Sequence, residues 1–166
     1  NAAIVAADQD FGSCLEINKV EDTTRIRFMG ETPILPGTYL RISARVKAIS
    51  GPRPTVRIGG WAGDGARNHV TGLDELGDNV ALPDYGDVVE VSAIVGTGNR
   101  RGVDMIWGAA PIYGHFGIDL IGTNGGAVRI ESLRIEDVTS VFLREMMDIV
   151  DVRDYGAVGN GTTDDR

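Results

Sequence analysis

The stretch Tyr39-Leu40-Arg41-Ile42-Ser43-Ala44-Arg45-Val46-Lys47-Ala48-Ile49 decides the fold. Leu40, Ile42, Ala44, Val46 and Ala48 share one parity, and Arg41, Ser43, Arg45 and Lys47 share the other. A period of two is that of a pleated strand with one face in a core and one toward water. On this reading a charge at Ile42 or Val46 unfolds the domain, while Arg41 and Lys47 tolerate change.

The same rhythm recurs on either side. In Thr23–Phe28, Ile26 and Phe28 oppose Arg25 and Arg27; in Thr55–Trp61, Val56 and Ile58 point inward while Arg57 points outward with Trp61. Val88–Val95 is apolar on both faces apart from Glu90 and Ser92, which predicts a well-covered central strand in which Val91 is also intolerant of charge. Gly102–Trp107 and Phe116–Ile121 come next, the latter with Asp119 on the face opposite Phe116, Ile118 and Leu120. Val128 and Ile130 are in phase, but Leu133 and Ile135 sit on the other parity, so a β-bulge at Glu131 and Ser132 or a corner between two strands must absorb one residue. The bulge is the preferred reading. Turn chemistry separates the runs, at Pro36-Gly37, Ser50-Gly51-Pro52, Gly63-Asp64-Gly65, Gly96-Thr97-Gly98-Asn99 and Asn124-Gly125-Gly126. About nine such strands cannot bury their apolar faces as one open sheet. The predicted fold is therefore all-β, a two-sheet antiparallel β-sandwich of jelly-roll type, with a closed barrel second and a single curved sheet third.

Composition bounds the function. The 166 residues hold 24 acids against 16 bases, a formal charge of −8, which argues against nucleic acid or an anionic membrane as partner. No run of 18 or more apolar residues occurs. The lone Cys14 excludes an internal disulfide and an all-cysteine zinc site, and the separated His69 and His115 do not form a zinc motif. Gly63-Asp64-Gly65 and Gly96-Thr97-Gly98 lack the lysine or following helix of a phosphate cradle. The chain begins at Asn1 and stops at Arg166 in an acidic turn-like run, and is expected to be a piece of a longer polypeptide. The expected organisation is a sandwich over 1–140, a linker over 141–150 and a separate segment over 151–166.

That last segment, Val150-Asp151-Val152-Arg153-Asp154-Tyr155-Gly156-Ala157-Val158-Gly159-Asn160-Gly161-Thr162-Thr163-Asp164-Asp165, reads as a short strand, an aromatic-Gly-Ala-Val turn, a Gly-x-Gly turn and a Thr-Asp-Asp run. It resembles the opening of the right-handed parallel β-helix in the pectate-lyase-like superfamily. The resemblance implies a downstream β-helix in the same chain, with glycan-degrading or phage-tailspike activity carried on its later coils. Asp151, Asp154, Asp164 and Asp165 then match a structural opening. Adjacent carboxylates such as Asp164 and Asp165 project in different directions and do not flank one glycosidic bond. With those coils absent, the segment is expected to hang loose or pack weakly.

The sandwich carries a second resemblance. Gly37-Thr38-Tyr39 entering the long strand, the Trp61-bearing strand end and the closing Val128-Arg129-Ile130-Glu131-Ser132-Leu133-Arg134-Ile135-Glu136-Asp137-Val138 are similar to non-catalytic carbohydrate-binding modules. That resemblance implies a polysaccharide or oligosaccharide ligand, an appended glycan-degrading enzyme and a secreted or extracellular location, with the fragment itself not an enzyme. A structural spacer or oligomerisation domain, giving a homo-oligomer through the β-helix, is the second reading. An active site within the fragment is the third.

Sugar recognition needs a flat aromatic surface bordered by planar hydrogen-bonding groups. The available platforms are Trp61, Trp107, Tyr85, Tyr113 and Tyr39. Trp61 comes first, with Arg57 on its parity as a donor fork suited to a uronate carboxylate. Trp107, in phase with Val103 and Met105, is assigned to the core. Tyr113 and His115 lie in a Gly- and Pro-rich approach to a strand, where a binding loop fits, and no nucleophile stands at a suggestive spacing from His115. His69 reads as an ordinary loop residue. By resemblance, jelly-roll modules hold a structural calcium ion where first and last strands meet, and Asp8, Asp10 and Glu16 with Asp137 offer hard oxygen ligands there.

Overall fold

The computed structural model describes residues 2–143 and 151–164. In chain order the strands are β1 (Ala2–Val5), β2 (Cys14–Asn18), β3 (Thr23–Arg27), β4 (Thr32–Pro33), β5 (Tyr39–Ser50), β6 (Thr55–Gly59) and β7 (Ala62–Gly63). They continue as β8 (Val80–Ala81), β9 (Val89–Gly96), β10 (Met105–Ile106), β11 (Tyr113–Gly114), β12 (Gly117–Ile121) and β13 (Ala127–Asp137). One short helix, α1 (Thr139–Leu143), and a 3-10 turn at Val152–Tyr155 complete the described elements.

The chain folds as the expected two-sheet sandwich. One sheet has the order β1-β2-β13-β5-β9-β10 and the other β3-β12-β6-β8, with a small sheet β4-β11-β7 beside it. The small sheet prolongs the second. Gly59 faces Gly117 and Ala62 faces Gly114 in one unbroken register, and between these pairs Trp61 and His115 exchange both backbone hydrogen bonds at 3.0 Å. Between the sheets lie Ile42, Val46, Val91 and Val95 against Ile58, Phe116, Leu120 and Trp107. Trp107 is 1% exposed, as its parity predicts, and its indole N–H is satisfied by the Asp74 carbonyl at 3.0 Å.

The parity switch in β13 is a bulge. Glu131 pairs with Arg45 but Arg134 pairs with Ser43, so β13 carries one extra residue, and Ser132 takes a φ of 41° there. That residue turns Leu133 and Ile135 back toward the core.

Four expectations change. Val88–Val95 is not covered on both faces: Val91, Ala93 and Val95 point into the core, Glu90 and Ser92 are exposed on the opposite face, and β10 pairs only with the Val95–Gly96 end of β9. Gly102–Trp107 is strand only over Met105–Ile106, because Gly102, at a φ of +88°, sits in a turn that Val103 closes onto the Arg100 carbonyl.

Lys47 is not a free surface residue. It is 4% exposed, because the segment before β2 crosses the outer face of the six-stranded sheet. Lys47 Nζ lies 2.8 Å from Asp8 and 3.2 Å from Asp10, over the buried ring of Phe11 at 4.6 Å. Burial works against the Lys47 charge, but the carboxylates of Asp8 and Asp10 outweigh it and hold its pKa above the ordinary lysine value. Lys47 in turn holds the Asp8 carboxyl well below the usual range, with the backbone N–H groups of Phe11 and Asp10 adding to it.

The segment over 151–164 does not hang loose. Asp151 caps the 3-10 turn, which occupies residues read as a short strand, by accepting from the Arg153 N–H at 2.9 Å. The turn delivers Asp154, 2% exposed, to the rim of the sandwich. There it accepts from the Tyr39 hydroxyl and pairs with Arg100 at 3.1 Å, while Asp151 pairs with the same guanidinium at 3.0 Å. Phe142 of α1 stacks on Tyr39 at 4.5 Å. Burial first, then the bond to Asp154, pushes the Tyr39 pKa up to about 12. From residue 144 onward the linker read over 141–150 lies outside the described residues, as does Asp165.

Candidate functional site

The outer face of the β3-β12-β6 sheet is built from rows of register partners. Arg25, Asp119 and Arg57 form one row, and Arg27, Gly117 and Gly59 the next. Trp61 and His115 continue the face at the following pair, and Gly63 and Tyr113 at the one after. The shared face of Arg57 and Trp61 is as their parity predicts.

This face carries a groove of about 590 Å³. Asp119, fully buried, lies beneath it and is the charge around which it is organised. Arg27 reaches across the glycine row, and its Nη2 donates to Asp119 Oδ1 at 2.7 Å. Arg57 Nε donates to Asp119 Oδ2 at 3.1 Å. A Cβ at Gly59 would strike the Arg27 guanidinium and crowd Asp119, so glycine there is a condition of the ion triad. Arg27 Nη1 is engaged by the Ile26 and Ile118 carbonyls at 3.1 and 3.2 Å.

One wall is aromatic. Trp61, half-buried, stacks with His69 at 5.1 Å and with His115 at 5.3 Å. Tyr113 packs behind it at 6.1 Å, buried, in space that a side chain at Gly63 would occupy. The rings are fixed by hydrogen bonds. His69 Nε2 donates to Glu75 Oε1 at 2.8 Å, and the same oxygen accepts the Ala62 N–H at 2.8 Å. His115 Nδ1 donates to the Gly30 carbonyl at 3.2 Å, which leaves Nε2 as its second polar atom. The groove is completed by the apolar side chains of Met29, Leu73 and Leu76.

Of the residues nominated for sugar contact, Trp61, Arg57 and His115 line this groove and Tyr113 supports it from behind. Tyr85 is elsewhere. It is exposed beyond the far end of β6, where its hydroxyl donates to the Gly51 carbonyl at 2.6 Å and Arg53 lies 5.9 Å over its ring. Tyr39 is buried against Asp154 and Phe142. His69, read as an ordinary loop residue, belongs to the groove, because its bridge to Gly63 carries it beside Trp61. Arg25, Arg27 and Glu75 were not nominated. The alternation in Thr23–Phe28 had placed both arginines on a solvent face, but nothing in it told which strand would lie beside them.

Of the residues nominated for calcium, Asp8, Asp10 and Glu16 gather around Lys47 and Arg129, whose charges already meet them, and Asp137 lies apart. Asp10 faces Lys47, Glu16 accepts from Arg129 Nε at 2.9 Å, and Asp137, at the other end of β13, accepts the Thr139 N–H at 2.9 Å. Among the described residues no group of three His, Cys, Asp or Glu side chains is placed to hold a metal ion.

Neither a family model nor a curated protein sequence matches the chain. Solved structures do. The chain is similar to the CBM22-1 xylan-binding domain of Xyn10C from Paenibacillus barcinonensis, at 12% identity and a TM-score of 0.53, over 83% of this chain and 81% of that one. It is also similar to the EclA C-terminal domain, a sugar-binding protein, at 13% identity and a TM-score of 0.47 over 80% and 83% of the two chains. A third likeness is to the enzymatically active domain of tailspike protein 4 of bacteriophage CBA120, at 12% identity and a TM-score of 0.48, over 82% of this chain and 17% of that one. Of the three, the first bears on the fold, and at that identity on the fold alone. Among the described residues no helix is long and apolar enough to cross a membrane.

Proposed function

We propose that the sandwich is a non-catalytic carbohydrate-binding module and that the groove beside Trp61 is its binding site. The observation that carries this reading is the aromatic wall of Trp61, His69 and His115 standing beside arginine donors in an open groove. A pyranose has an apolar face that stacks on such rings and equatorial hydroxyls that accept from fixed donors. The similar fold of a xylan-binding domain shows that a sandwich of this kind can carry a polysaccharide site. A glycosidase needs two carboxyl groups flanking the scissile bond. Here Asp119 lies buried between two arginines and Glu75 is held by His69 and the Ala62 N–H, which favours binding over hydrolysis.

The sequence resemblance at 150–165 supports a place ahead of a pectate-lyase-like β-helix in a secreted glycan-degrading protein. The docking of Asp154 between Tyr39 and Arg100 favours a second, compatible role, in which the sandwich also anchors the first turn of that β-helix.

Affinity electrophoresis and calorimetry against a panel of neutral and acidic polysaccharides test the binding reading. Retardation by at least one polysaccharide, lost in Trp61→Ala with the circular dichroism unchanged, is the expected result. A folded protein that no polysaccharide retards would overturn it.

A further inference from the structure

Resting on the carbohydrate reading of this groove, we infer that its ligand is an anionic saccharide carrying a carboxylate, a uronic acid unit held at Arg57 and Arg25. The chain as a whole has a formal charge of −8. The groove reverses that sign. It gathers Arg25, Arg27 and Arg57 against the carboxylates of Asp119 and Glu75, and Glu75 is engaged by His69.

The three arginines differ in what they have left to offer. Arg27 already donates from both Nη atoms within the protein. Arg57 is tied to Asp119 through Nε alone, and among the described residues its Nη1 and Nη2 have no hydrogen-bond partner. Its guanidinium plane is therefore held from one side while two parallel donors remain. That is the geometry that meets a carboxylate bidentately. Arg25, exposed and in the same row across Asp119, makes no side-chain hydrogen bond or ion pair among the described residues. One buried carboxylate facing two guanidinium groups leaves positive charge uncompensated, and Arg25 adds to it.

A neutral sugar would leave this excess to water. A carboxylate on the sugar would neutralise it, using donors already oriented by Asp119, at little cost in side-chain ordering. The acidic remainder of the surface would repel a densely anionic chain, so the anion must be local and matched to the two free arginines. A sulfate ester shares the charge and also offers two oxygens to the fork of Arg57, so a sulfated form is the arm of the test that separates the two anions.

The test compares three forms of one backbone by calorimetry on the whole chain: 4-O-methylglucuronoxylan, the same xylan after carboxyl reduction, and a sulfated xylan. The carboxylate form is expected to bind about tenfold more tightly than its reduced counterpart, the contribution of one charge-assisted hydrogen bond. That advantage should vanish in Arg25→Gln and Arg57→Gln together and shrink as salt is raised. Arg25→Gln alone, at an exposed unpaired position, keeps the fold and should remove part of it. Equal binding of the reduced form overturns the inference and leaves the carbohydrate reading standing. Tighter binding of the sulfated form overturns the carboxylate assignment. No binding by any form, with the protein folded, overturns the inference, and the wider polysaccharide panel then decides the carbohydrate reading separately.

Discussion

Replacing Asp119 with asparagine removes the charge on which both the groove and one face of the sheet depend. Asp119 is wholly buried and accepts charge-assisted bonds of 2.7 Å from Arg27 and 3.1 Å from Arg57. Breaking a buried pair by deleting one partner costs roughly 3–5 kcal/mol, and each such bond is worth about 1.5–3 kcal/mol. The arginine side chains retain 14% and 20% exposure, so each can regain some water, and Arg27 keeps its bonds to the Ile26 and Ile118 carbonyls. The amide, by contrast, turns a donor toward one of the guanidinium groups. The loss for Asp119→Asn should therefore fall at the lower end, about 3 kcal/mol. For a chain of this size that is a fall in Tm of roughly 6–12 °C. Urea unfolding followed by circular dichroism, with linear extrapolation, measures it. Pairing the change with Arg57→Met should give less than the sum of the two single losses, since both remove one contact. A loss for Asp119→Asn under about 0.5 kcal/mol, the scale of an ordinary surface change, would refute the claim that this carboxylate organises the face.

Lys47→Ala should cost about 2 kcal/mol by urea unfolding, from lost pairing with Asp8 and Asp10 and lost packing on Phe11, while Arg41→Ala stays within about 0.5 kcal/mol; equal losses would contradict the burial of Lys47. Asp8 ordinarily titrates at 3.8 and is held well below that in the folded chain, first by Lys47. The unfolded chain therefore takes up this proton at higher pH than the folded one, so stability is full above about pH 4 and falls as the pH drops below it. Asp8→Asn should flatten that fall in acid melting curves, and an unchanged slope would count against the pairing. Tyr39→Phe removes the hydroxyl that donates to Asp154, and should speed hydrogen exchange of the amides at Asp154, Gly156 and Ala157 while the strands keep their protection; unchanged exchange there would mean that the turn is held by Arg100 alone.

What was legible in the chain was local and periodic. The two-residue rhythm of Tyr39–Ile49 placed Leu40, Ile42, Ala44, Val46 and Ala48 inward, the parity break marked the bulge at Glu131 and Ser132, and the phase of Trp107 with Met105 put it in the core. Arg57 and Trp61 were assigned one face for the same reason, since parity along a strand is fixed by the pleat. The first strand pair was missed, because Ala2–Val5 and Cys14–Asn18 are short and flank a segment without alternation.

Tertiary structure alone decided which charges are buried. Asp119 meets Arg27 across 92 positions, Asp154 meets Tyr39 across 115, and Lys19, fully buried, reaches Asn124 across 105 at 2.9 Å. Periodicity says which face a side chain takes but not which strand lies beside it. Register and sheet order set that neighbour, and a buried ion is tolerable only where an opposite charge, as for Asp119, or a ring of fixed acceptors, as for Lys19, meets it. The groove has the same cause: Arg25, Asp119 and Arg57 are ordinary polar positions on three separate strands until pairing sets them in one row.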